Sequence, residues 1–122
     1  MTPEQCQQMI EFHKSHRHLT AIGDGSDYTG IRLMHIQNNL IRKWMAEVMV
    51  NLIGEIRKIS DQIVYPEMVG LNEWPIGGVQ EPHLDTYSNQ QMNAGTHEEK
   101  PAREWTCILY LNDNFKGGRT YI

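Results

Sequence analysis

Along residues 37–63 the apolar side chains Ile41, Met45, Val48, Leu52, Ile56, Ile59 and Ile63 recur in steps of four or three, which lines them up as one stripe on a helix. The spacing predicts a long helix over this stretch, stopped by Tyr65-Pro66 because a proline ring disfavours helical backbone in the residue before it. Gly54 interrupts the stripe at about 1 kcal/mol relative to alanine, and close packing against a neighbour would explain it. Nearer the N-terminus, Thr2 can cap a helix with Pro3 in its first turn and Gln5 placed to return a hydrogen bond. Met9, Ile10, His13 and His16 then follow at helical spacing, so a first helix is expected to about Arg17. The intervening "AIGDGSDYTGIR" (21–32) is dense in turn formers and is expected to be irregular.

Beyond Pro66 the period shortens. "EMVGLNEW" (67–74), "VQEPHLD" (79–85) and "REWTCILYLND" (103–113) are bounded by Gly, Pro or Asn and read as strands. The polar, turn-prone interval 86–102 is long enough for a functional loop. Helices followed by antiparallel strands predict an α+β fold in which the long helix buttresses a sheet or barrel.

Composition narrows the class. A chain of 122 residues suits one domain. A formal charge of -4 offers no basic field for nucleic acid or anionic lipid. The most apolar region is broken by Glu47, Asn51, Glu55, Arg57 and Lys58, so no membrane span is expected. The N-terminus lacks a basic segment followed by a hydrophobic one, which makes a cytoplasmic location the expectation. Cys6 and Cys107 do not suggest a disulfide framework and are expected to be packed thiols.

Candidate chemistry centres on "EPHLD". On a strand, residues two apart point to the same side, so His83 and Asp85 would present an imidazole and a carboxylate to one point. With a second histidine from elsewhere they would form the facial set of two His and one carboxylate that suits non-haem Fe(II). A polar strand end is the competing account of so short a motif. His13 and His16 lie one helical turn apart but are expected on a solvated helix face. His97, in the polar loop, is a weaker candidate ligand, and Arg103 and Arg119 are expected in exposed salt bridges. No Ser or Cys has a base in register for nucleophilic catalysis.

The run "WPIGGVQEPHLD" (74–85) resembles the glycine-containing approach to His-x-Asp in the prolyl 4-hydroxylase branch of the Fe(II)- and 2-oxoglutarate-dependent dioxygenases. Downstream, "REWTCILYLNDNFKGGRTYI" (103–122) resembles that family's next strand pair, with a Tyr-Leu-Asn-Asp end and a Gly-Gly-x-Thr turn; "YPE" (65–67) stands ahead of both. The resemblance covers about half the chain. It implies a double-stranded β-helix, or jelly-roll barrel, backed by the long helix. His83 and Asp85 would bind Fe(II), and 2-oxoglutarate and O2 would complete the centre, with ascorbate as an optional reductant. Decarboxylation of 2-oxoglutarate to succinate would be coupled to hydroxylation of a peptide or small-molecule substrate.

The resemblance further implies that Tyr110 hydrogen-bonds the far carboxylate of 2-oxoglutarate with Ile108 beside it; a buried tyrosine at the barrel rim is the equal alternative. Trp74 stands where relatives often carry tyrosine, and Thr120 could line the same pocket. One domain, 1–122, is expected, with 1–64 as helical support and 65–122 as the first barrel strands. The later strands, carrying the second histidine and the basic partner of 2-oxoglutarate, would lie beyond Ile122, so the chain is expected to be an N-terminal portion. An oligomer or a second chain could complete the barrel. Alternatively, these residues are a non-catalytic half-barrel for binding or assembly, or an inactive fragment.

Overall fold

The computed structural model describes residues 1–22, 28–80 and 104–118. Five elements follow one another: α1 (Pro3–Ser15), β1 (Ala21–Ile22), β2 (Thr29–Arg32), α2 (Asn39–Ile59) and β3 (Gly70–Glu73). The fold is α+β, with one antiparallel sheet in the order β1-β2-β3.

α1 starts as its sequence dictates. Thr2 accepts a hydrogen bond from the Gln5 amide at 3.2 Å, and the Gln5 side chain accepts from the Thr2 amide at 2.8 Å, a complete capping box with Pro3 in the first turn. α2 starts at Asn38, whose side-chain oxygen accepts from the Leu40 and Ile41 amides at 3.0 and 3.1 Å. It ends at Ile59, earlier than the stripe predicts. Ser60 turns to extended backbone, φ -141 and ψ 133, and its hydroxyl accepts from the Gln62 amide, offering the chain a turn in place of another helical bond. Ile63 is therefore outside the helix and exposed.

The expected loop 21–32 contains two strands. Ala21 pairs with Gly30 and Ile22 with Thr29, so β-formers on either side of a Gly/Asp/Ser run make a hairpin. β3 was expected and pairs with β2 in the register Thr29–Glu73, Gly30–Asn72, Ile31–Leu71 and Arg32–Gly70. Gly30 leaves room for the Asn72 side chain, which a Cβ there would strike. The sheet thus draws on both halves of the chain. In contrast, the described part of the expected strand 103–113 forms no ladder with other described residues. Residues 104–110 are all exposed, and only Leu111 reaches the core margin.

Met9 and Phe12 of α1, Ile31 of β2, Leu71 of β3, Ile41, Trp44 and Met45 of α2, and Ile36 form one buried cluster. Ile31 and Ile36 are wholly inaccessible. The α2 stripe enters this core at its N-terminal end; farther along, Val48 and Leu52 are half-buried, Ile56 is buried and Ile59 is exposed. Gly54 is exposed, and a Cβ there would meet nothing, so it is not a site of close packing.

Candidate functional site

β3 delivers the chain to the start of the run 74–85. Glu73 closes the strand, Trp74 follows, and Pro75 begins a turn closed by the Gly78 amide donating to the Pro75 carbonyl at 3.0 Å. Gly77 occupies the turn at φ 82, in the left-handed region that glycine enters without steric cost. The Trp74 ring lies 5.0 Å from that of Tyr28, so the run is held against β2 as it leaves the sheet.

His83, Asp85 and Thr120 lie outside the described residues, as do His97, Arg103 and Arg119. Ile108 and Tyr110 are exposed. The Tyr110 ring stacks on Phe115 at 5.9 Å, which overturns the alternative of a buried tyrosine. The reason is that Thr106, Ile108 and Tyr110 do share a parity, but parity only selects a face, and burial needs a second layer to cover it. Cys107 is also exposed, against the expectation of a packed thiol; Cys6 is half-buried, and both are free thiols.

The charged cluster that does assemble around β3 is one the sequence reading missed. His13 is 3% exposed, buried beside Phe12, which contradicts the solvated face expected of it. Its Nδ1 lies 3.1 Å from Glu73 Oε2. Arg17, in the 3-10 turn after α1, donates through Nη2 to Glu73 Oε1 and Oε2 at 2.9 and 3.1 Å. His16 is half-buried with its ring stacked on Phe12 at 4.0 Å, and the two histidines therefore do different things. The signal was the spacing Met9, Phe12, His13, which places the imidazole on the apolar side of α1. An open pocket of about 170 Å³ beside the cluster is lined by Arg17, Thr29, Glu73 and Pro75.

No protein-family model matches the chain, and neither a curated protein nor a solved structure does. Among the described residues no helix is long and apolar enough to cross a membrane. No three His, Cys, Asp or Glu side chains among them converge as a metal centre.

Proposed function

We propose that the protein is an Fe(II)- and 2-oxoglutarate-dependent dioxygenase of the prolyl 4-hydroxylase-like kind, built on a jelly-roll barrel. One observation carries this reading: "YPE", "WPIGGVQEPHLD" and "CILYLND" followed by Gly-Gly-x-Thr occur in a single order along one chain. His83 and Asp85 supply two ligands to the iron, and a further histidine supplies the third. The bound iron, with 2-oxoglutarate and O2, supplies the oxidising chemistry that hydroxylates a peptide or small-molecule substrate. Tyr110 and Thr120 offer hydroxyl donors to the far carboxylate of 2-oxoglutarate, Trp74 offers an indole N–H, and Ile108 an apolar wall. Ascorbate would serve as an optional reductant.

A second reading, a non-catalytic half-barrel for binding or assembly, is favoured by exposed apolar side chains in the same half: Tyr65 at 83%, Ile76 at 107% and Ile108 at 62%. One assay separates the two. Succinate is measured after incubation of the protein with Fe(II), 2-oxoglutarate, ascorbate and candidate peptides. The dioxygenase reading expects turnover that disappears in His83→Ala and Asp85→Ala. Equal turnover in those variants refutes it, and self-association of the chain, with no turnover even when a protein carrying the third histidine is assayed, favours the module.

A further inference from the structure

α1 meets the sheet through two unlike contacts. Met9 and Phe12 bury apolar surface with Ile31 and Leu71, and between this packing and the solvent stands His13. The His13 Nδ1 is within ion-pair distance of Glu73 but not aligned for a hydrogen bond, and Nε2 has no partner. This mismatch does not depend on protonation. A neutral ring buries one N–H and one lone pair, a charged ring two N–H groups, and in each case hydration is lost without an aligned replacement. The carboxylate is meanwhile well satisfied from outside, by two bonds from Arg17.

We infer that α1 is a clasp poised to open: Pro3–Ser15 undocks from β2 and β3 as a local unit, hydrating the His13 ring and uncovering the Ile31–Leu71 face, while α2 stays in place. The two sides of the clasp have opposite signs. The imidazole weakens docking, because replacing an unsatisfied buried polar group by an apolar one of similar shape is neutral or stabilising. Glu73 strengthens it, because it alone ties Arg17 to the strand. A helix held by packing alone would show neither effect, and one held by a sound His13–Glu73 bond would loosen when the histidine is removed.

Amide hydrogen exchange on the full chain tests this, with the interior amides of α2 as the internal reference. In the unmodified protein the α1 amides exchange about tenfold or more faster than those of α2. His13→Leu slows α1 exchange about tenfold and leaves α2 unchanged, as expected when a buried unsatisfied group is removed. Glu73→Ala speeds α1 exchange, and Arg17→Gln, at an exposed position that does not endanger folding, does so to a smaller extent. Should His13→Leu lose helical circular dichroism, His13→Met repeats the measurement with a more adaptable side chain. Exchange of α1 and α2 in unison, or faster α1 exchange in the apolar variants, overturns the clasp.

Discussion

Ile31 and Leu71 face one another across β2 and β3 and form the centre of the only large apolar cluster among the described residues. Ile31→Ala is expected to lower unfolding free energy by about 2–5 kcal/mol, since the space left by a fully enclosed side chain collapses only in part. Urea denaturation at unchanged slope is the measurement. Gly54 shows the opposite case: with an open surface where its Cβ would go, Gly54→Ala is expected to raise stability by about 1 kcal/mol. An unchanged or lower urea midpoint would refute that. Gly54 was visible in the helical pattern, whereas Ile31 lay in a stretch expected to be irregular, and the environment of neither was legible. A stripe states which side chains share a face, and only a neighbour's arrival states which are covered. His13 was misjudged on this ground, because Glu73, sixty positions away, is what meets it.

Elements are where local chemistry speaks most clearly. The start of α1 was legible because its cap is completed within three residues, Thr2 with Gln5; α2 was read from its apolar stripe, and its cap, Asn38 with Leu40 and Ile41, is equally local but was not foreseen. Asn38→Ala is expected to cost about 1 kcal/mol, read as a lower thermal midpoint with reduced helical signal. Glu4, fully exposed in the first turn of α1, has its carboxyl held below the ordinary 4.5, first by its own backbone N–H and then by the Thr2 hydroxyl. A depressed carboxylate contributes stability that is complete above 4.5 and is lost as pH falls through the depressed value, so the α1 cap weakens only in acid. A carbon-detected titration of Glu4 midway above 4.5 would contradict this. The end of α2 was less legible, since Ser60 competes through a side-chain bond that the apolar stripe does not encode.

At the scale of the whole molecule, the described core is built from residues between Met9 and Leu71, with Leu111 at its margin. On the proposed function, His83→Ala and Asp85→Ala are expected to abolish 2-oxoglutarate turnover, and if both are surface ligands the unfolding free energy from urea denaturation changes by about 0.5 kcal/mol or less. A collapse of stability in both variants would make loss of turnover uninformative about iron and would move the motif into the core. Likewise, a ferrous chelator is expected to stop turnover and to lower the unfolding midpoint by the stabilisation that bound iron contributed.

The sequence by itself determined what is local: the two helices, the cap of α1 and the strand at Gly70–Glu73. Tertiary structure alone decided that β1 and β2 pair across 21–32, that β2 pairs with a strand some forty residues later, and that His13 is buried against Glu73. The physical reason is the same in each case. Helical hydrogen bonds and caps close within four residues, whereas strand pairing and burial need a partner whose position depends on the rest of the chain.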